Sequence, residues 1–328
     1  MELEKIPTVP TADELLDRSF RRAAARMREK RGSPKKRGSR KGSAHANEEF
    51  IRAVGASLHD RLVRIISSFP EFDALPPFYR NLTEALCGIE KIRMSLGALG
   101  WAAKQSRRLG SQLGREARAS GDSPAIRKRA VARLSSVVHQ VDGDLRFLNI
   151  VRNQLRELPE LSEEFTVVVA GYPNVGKSSF IRLVSTATPE IAAYPFTTRG
   201  IIVGHRTIGR DRMQFIDTPG VLDRPPQERS GIERQAVTAM INLASVILVI
   251  IDASEHCGYP LEDQFRLLHE IEEMVSVPVM AVVNKSDITY FDGYINMSTE
   301  TGEGLNEVLE NLLAFRKRSE EECQGIPG

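Results

Sequence analysis

The sequence predicts an all-α helical bundle followed by an α/β domain with a mostly parallel sheet and helices on both faces. Three observations predict it. Apolar residues recur at three- and four-residue spacing from Glu48 to about Glu157; short β-branched runs alternate with helical stretches from Phe165 onward; and a glycine-rich loop stands between the first such run and a helix. The boundaries drawn from this pattern are 1–47 for an N-terminal helix and basic arm, 48–160 for the bundle and 165–328 for the α/β domain.

Taken in order, residues 12–30 read as a helix, with Leu15, Leu16 and Phe20 at helical spacing. The stretch that follows, RGSPKKRGSRKGSAHAN, has no apolar periodicity and reads as a flexible basic arm. Between Arg18 and Lys41 Glu29 is the only acid, and such a block seeks phosphate. Three or so long helices are expected next, carried by groups such as Leu58, Leu62, Ile65 and Ile66, then Leu86, Ile89, Ile92 and Leu96, then Leu134, Val137, Val138, Val141 and Leu145. Breaks fall at Pro70, Pro76-Pro77 and the GDSP turn at 121–124. Lys104, Arg107, Arg108, Arg115, Arg118, Arg127, Lys128 and Arg129 occupy polar positions, as a solvated face or as an RNA-facing one. Trp101 and the leucine stripes read as core.

FTVVVAG, MQFID, SVILVIIDAS and VPVMAVVNKSD are the predicted strands of the α/β domain. In such a sheet ligands sit at the carboxyl ends of the strands. After the first strand, Gly171, Tyr172, Pro173, Asn174, Val175, Gly176, Lys177 and Ser178 match G-x-x-x-x-G-K-[ST], with Ser179 continuing into a helix. Glycines let consecutive N–H groups converge on phosphates, and the helix N-terminus favours an anion. Lys177 offers a point charge to β- and γ-phosphates, and Ser178 a hydroxyl to magnesium.

MQFID ends in Asp217-Thr218-Pro219-Gly220, where the carboxylate can hold magnesium through water and the glycine can follow a γ-phosphate. VPVMAVV runs into Asn284-Lys285-Ser286-Asp287. A buried Asp287 is expected to accept from both the ring N–H and the exocyclic amine of guanine, a pair adenine does not offer. Asn284 is expected to brace the neighbouring loop, with the Lys285 stem along the base. Ser298, Thr299 and Glu300 form a last loop within reach of the base. In AYPFTTRG, Thr198 is favoured over Thr197 to complete the magnesium shell. Lys177, Thr198 and Gly220 are the expected catalytic set.

Composition narrows the class. The 27% charged and 41% hydrophobic residues describe an ordinary globular chain, and a net charge of +2 makes only its distribution informative. Without an apolar run of about 18 residues or a signal core, the expectation is a cytoplasmic protein with no membrane partner. Three scattered cysteines fit reduced thiols, and the six histidines show no metal-ligand spacing.

In this order the loops resemble the translation-factor-related GTPases. GYPNVGKSSF, YPFTT, IDTPGVLDRP, SEHCGYPLEDQ and NKSD together resemble the nucleolar GTP-binding protein (Nog) family of the Obg group, and so do LPPFYRNL and KIRMSLGALGWAAKQSRRL upstream. The resemblance implies an α/β P-loop G domain behind a helical domain, GTP and GDP as ligands with Mg²⁺, and work on the large ribosomal subunit or its precursor through ribosomal RNA. It is to a short archaeal-type form, since a long C-terminal extension is missing. Val221 follows Gly220 where many regulatory GTPases carry a glutamine that orients water, so hydrolysis is expected to be slow. Asn174 is a candidate ligand for K⁺, with a loop-stabilising amide as the other reading. A monomer is expected. The competing classes are an ATPase or small-molecule kinase, and an RNA-binding scaffold whose nucleotide site is regulatory.

Overall fold

A computed structural model gives the fold and describes residues 2–31, 40–120, 124–159, 161, 164–192, 194, 200–208, 211–217 and 237–324. Two compact units divide the chain: Met1–Asp73 with Cys87–Arg156, and Ala74–Leu86 with Glu157–Gly328.

The first unit is a bundle of α1 (Ala12–Arg31), α2 (Arg40–Ile66), α4 (Ile89–Ala119), α5 (Pro124–Gln140) and α6 (Asp142–Arg156), with α3 (Pro77–Cys87) belonging almost entirely to the second unit. Each helix is amphipathic. In α4 the buried stripe runs Ile92, Ser95, Leu99, Ala102, Ser106, Gly110, Leu113 and Ala117. Trp101 falls off that stripe and is 43% exposed, so it is not the core residue expected from its helical setting. Small residues bring α2 and α4 together. A Cβ on Gly55 would lie 2.6 Å from the Ser106 carbonyl oxygen and 2.9 Å from Gly110 Cα, so the backbones meet where only glycine fits.

Three features were not read from the sequence. The segment before α1 is packed: Leu3, Ile6 and Val9 are buried, and α6 holds the segment through Asn149 Oδ1 accepting from Val9 N–H and Arg152 Nε donating to the Ile6 carbonyl. Asp142 accepts from the Ala12 N–H at 2.8 Å, which starts α1 on the same helix. Of the expected arm, Arg31 closes α1 and residues 40–47 open α2; residues 32–39 lie outside the described residues. The boundary at 48–160 encloses α3, which the structure assigns to the second unit.

That unit is built on a seven-stranded sheet of order β2-β3-β4-β1-β5-β6-β7, comprising β1 (Phe165–Ala170), β2 (Glu190–Ala192), β3 (Ile201–Ile208), β4 (Asp211–Asp217), β5 (Val246–Asp252), β6 (Val279–Asn284) and β7 (Ile295–Asn296). The pairs β4–β1, β1–β5, β5–β6 and β6–β7 are parallel; β2–β3 and β3–β4 are antiparallel. Parallel strands need crossover connections, which α7 (Lys177–Val184) and α8 (Leu261–Met274) help supply, while α9 (Leu305–Gln324) follows the last strand. β5 is buried along its whole length, as expected of a strand covered on both faces. The hairpin of β2 and β3 went unread because IIVGHRTI lacks both strict alternation and a tight turn signal.

α3 packs within this unit through two aromatic residues. Phe78 stacks on Tyr194, with ring centroids 6.4 Å apart and planes at 21°. The Tyr79 hydroxyl donates to the Pro159 carbonyl and accepts from the Leu161 N–H, both at 3.0 Å. Burial drives the Tyr194 phenol far above its ordinary value.

Candidate nucleotide-binding site

The register of the parallel strands sets the site. Val169 pairs with Asp217 and Asp252 with Asn284, so the carboxyl ends of β1, β4, β5 and β6 lie along one edge of the sheet. The loop from Gly171 to Gly176 leaves β1 there and enters α7. Gly171 has φ 133° and Gly176 φ 108°, both in space that side chains avoid. A Cβ on Gly171 would strike the Ile250 carbonyl oxygen at 2.4 Å, and one on Gly176 the Asn284 amide nitrogen at 2.1 Å. Gly176 also caps α7 and brings no side chain to the first-turn N–H groups, which suits an anion at the helix end.

Lys177 is buried, and its ammonium donates to the Gly171 and Tyr172 carbonyls, each at 2.8 Å. The charge is thus held over the concave side of the loop. The Ser178 hydroxyl donates to Asp217 Oδ2, and Asp217 is buried at the end of β4. A hydroxyl and a carboxylate that already meet are hard oxygen donors of the kind magnesium takes from proteins while phosphates and water complete its shell. The donor set therefore fits Mg²⁺. Among the described residues no group of three His, Cys, Asp or Glu side chains is arranged to hold a metal, a motif this chemistry does not need.

Asn284 ties three loops together. Buried at the end of β6, its amide donates to the Val175 carbonyl at 2.7 Å and to Thr299 Oγ1 at 3.1 Å, and its Oδ1 accepts from the Thr299 N–H at 3.0 Å. The expected brace is present, and it reaches the 298–300 loop as well. Ser298 is buried; its hydroxyl donates to Asp287 Oδ1 at 2.5 Å and accepts from the Glu300 and Thr301 N–H groups at 3.2 Å. Asp287 itself is exposed. The expectation of a buried carboxylate is thus corrected: the residue lies past the end of β6 on the rim of the sheet, aimed by Ser298 on one side only.

A family model described as the NOG1 N-terminal helical domain matches residues 3–162, and one described as nucleolar GTP-binding protein 1 (NOG1) matches residues 231–287. The chain belongs to the nucleolar GTP-binding protein 1 family. An uncharacterized protein of Methanocaldococcus jannaschii is 40% identical over 87% of this chain and 81% of its own length. Nucleolar GTP-binding protein 1 of Drosophila melanogaster is 36% identical over 73% of this chain and 37% of its own length. That of Saccharomyces cerevisiae is 33% identical over 73% and 38%. The chain therefore spans under two-fifths of the length of these two eukaryotic relatives.

In this NOG1-family chain the structure brings together Lys177, Ser178, Asp217, Asn284, Lys285, Asp287, Ser298 and Thr299. Thr198, Thr218, Pro219 and Gly220 lie outside the described residues. Asn174 is exposed with φ 64°, a conformation asparagine tolerates, which fits loop shaping and a cation contact alike. Ser179 and Glu300 are exposed at the margin.

One functional group was missed. Asp252, buried at the end of β5, accepts from Lys285 Nζ at 2.6 Å, from the Cys257 N–H at 2.7 Å and from Ser254. Burial raises its carboxyl, but the bonds from Lys285, Ser254 and Cys257 outweigh that and leave it below the usual carboxylate value. Gln264 of α8 accepts from the Asp252 N–H and donates to the Asp252 and Tyr259 carbonyls. The Tyr259 ring lies 4.4 Å from that of Tyr172 in the phosphate loop. Lys285, with φ 63°, is thus fixed by its tip as well as by its backbone. The signal available in sequence was an aspartate closing a strand in IIDAS, as one closes MQFID. Cys257 is buried and burial raises its thiol above the ordinary value, as befits a structural cysteine.

Proposed function

We propose that this chain binds GTP and GDP with Mg²⁺, hydrolyses GTP slowly and serves as a nucleotide-dependent switch in assembly of the large ribosomal subunit. The observation that carries the reading is the Asn284 side chain, which joins the phosphate loop at Val175 to the base-side loop at Thr299. The buried amide thus couples the phosphate cradle to the 298–300 loop, whose Ser298 aims the guanine-reading Asp287, so both ends of one nucleotide are recognised.

Lys177 would neutralise the β- and γ-phosphates, Ser178 and Asp217 would hold the metal with Thr198, and Asp287 would read the purine. Magnesium supplies charge neutralisation between the phosphates. Val221 leaves no side chain to orient water, which supports slow intrinsic turnover and a role for K⁺ at Asn174 or for ribosomal particles in raising it. The expected setting is a cytoplasmic monomer working on ribosomal RNA; no helix among the described residues is long and apolar enough to cross a membrane. On the helical unit Lys104, Arg107, Arg108 and Arg115 are exposed, which supports an RNA-facing surface.

The test is titration of purified chain with fluorescent GDP, competed by GTP and ATP, then single-turnover hydrolysis in K⁺ and Na⁺ buffers with and without large subunits. Competition by GTP but not ATP supports the reading. Competition by ATP alone would return the chain to the kinase or ATPase class. Binding without hydrolysis under every condition would favour the RNA-binding scaffold with a regulatory nucleotide site.

A further inference from the structure

α1 carries Arg18, Arg22 and Arg26 at four-residue intervals, a row on one helix face ~12 Å long at 1.5 Å per residue. All three are exposed. α2, packed against α1, carries Arg61 and Arg64 three residues apart. A groove of about 500 Å³ sets Ala23, Arg26 and Met27 of α1 against Glu49, Arg52, Ala53 and Ala56 of α2, while Arg18, Arg22 and Arg64 each lie near enough to Arg61 to act on its charge. The helices therefore run antiparallel, and four guanidinium groups crowd at one end of their contact.

Among the described residues no carboxylate is ion-paired with this crowd. Asp17 is bonded to Arg21, Asp60 to His59, and Glu14 accepts from the Thr11 N–H. Glu48 is taken by Arg52 and Arg118. Arg61 is half-buried and its Nε is shielded from solvent without a hydrogen-bond partner. The buried Ser19 and Ser57 hydroxyls on the same two helices also lack partners. Burial first, then the proximity of Arg22, Arg18 and Arg64, pulls the Arg61 guanidinium below its ordinary value. Clustered like charges destabilise a fold, and a buried donor left unpaired adds to that. An oxyanion removes both costs, because the guanidinium fork matches phosphate geometry.

We propose that Arg18, Arg22, Arg61 and Arg64 form a phosphate-binding site on the helical unit that grips the backbone of RNA. It rests on the RNA-binding part of the function proposed above and names where that binding is anchored. RNA is the source of the phosphate because the cluster extends into a row, which Arg26 continues along α1. A chain of phosphates fills such a row, and a free anion would fill one point of it.

The test uses the full chain, a fluorescein-labelled mixed-sequence RNA stem–loop, and fluorescence anisotropy across roughly 50 to 200 mM salt. The R18Q/R22Q/R64Q variant is expected to bind at least tenfold more weakly, with the slope of log affinity on log salt smaller by about two to three. R61Q is expected to lose roughly three- to tenfold. The melting temperature should hold or rise in both, since removing a cation relieves repulsion; a purely structural role would lower it. K317Q/R318Q, on α9, should bind as the parent does. Should the triple variant unfold, R22Q decides, with a slope smaller by about one. Parent-like affinity and slope in the folded variants would overturn the site while leaving RNA binding standing. Failure of the parent to bind RNA would sink the broader reading and the site with it. Arginine-dependent cosedimentation with phosphatidylglycerol vesicles in the absence of RNA binding would also overturn it.

Discussion

The Asp252 carboxylate and the Lys285 ammonium lie 2.6 Å apart, one fully buried at the end of β5 and the other rising from the loop after β6. A lysine stem pinned at its far end presents a fixed apolar edge, so the surface on which a purine would lie is formed before the ligand arrives. Asp252→Asn keeps the shape and removes the charge. It is expected to lower stability by about 1–3 kcal/mol, since Lys285 and the Cys257 N–H lose a charged acceptor, and to weaken GDP binding roughly tenfold. Urea unfolding and a fluorescent GDP titration measure the two effects.

The same carboxyl predicts a pH dependence. Its value is lowered on folding, so the unfolded chain binds more protons and stability rises with pH across the window. The contribution is complete above the unfolded value of about 3.9 and is lost as pH falls through the lower folded one. Asp142, held low by Arg146 and the Ala12 N–H, acts in the same direction in the helical unit. Acid unfolding followed by circular dichroism should therefore begin below about pH 4, with a flatter profile in Asp252→Asn.

Gly176 faces the Asn284 amide so closely that a methyl group has no room. Gly176→Ala is expected to displace Asn284, break its bond to Val175 and lower GDP affinity by about a hundredfold or more, with a stability loss of roughly 1–3 kcal/mol. Calorimetric titration with GDP reads the first effect and thermal melting the second. Parent-like binding would show that the three loops do not depend on that amide.

Asp287→Asn exchanges an acceptor pair for one acceptor and one donor. Guanine presents two donors on that edge, whereas xanthine presents a donor and a carbonyl. The variant should lose about a hundredfold in GDP affinity and bind xanthosine diphosphate in its place. Because Asp287 is exposed and oriented by Ser298, melting should barely change.

How far the sequence could be read depends on the range of the interaction. The phosphate loop was legible because its geometry is local: two glycines, a lysine and a hydroxyl on a strand–helix turn. The parallel strands were legible from continuous β-branched runs. The allegiance of α3 was not, because periodicity reports which face of a helix is apolar and says nothing about what covers it; Phe78 and Tyr79 satisfy the pattern of either unit. The start of α2 at Arg40 was hidden by Gly42 and Ser43, whose helix propensity is poor. Asp252 was missed for a similar reason. Its partners Cys257, Gln264 and Lys285 lie 5, 12 and 33 residues away, and only the sheet brings them together.

The membership of α3 bears on how the molecule is made. The polypeptide passes from one unit to the other three times, the second time between Leu86 and Cys87, just before Gly88, whose φ of 71° separates α3 from α4. During synthesis α3 emerges before any strand of the unit it belongs to. A cut near residue 160, the natural place to separate the halves, would strip Tyr194 of Phe78 and Leu161 of the Tyr79 hydroxyl. The G domain of this chain is closed by a piece of polypeptide made long before it.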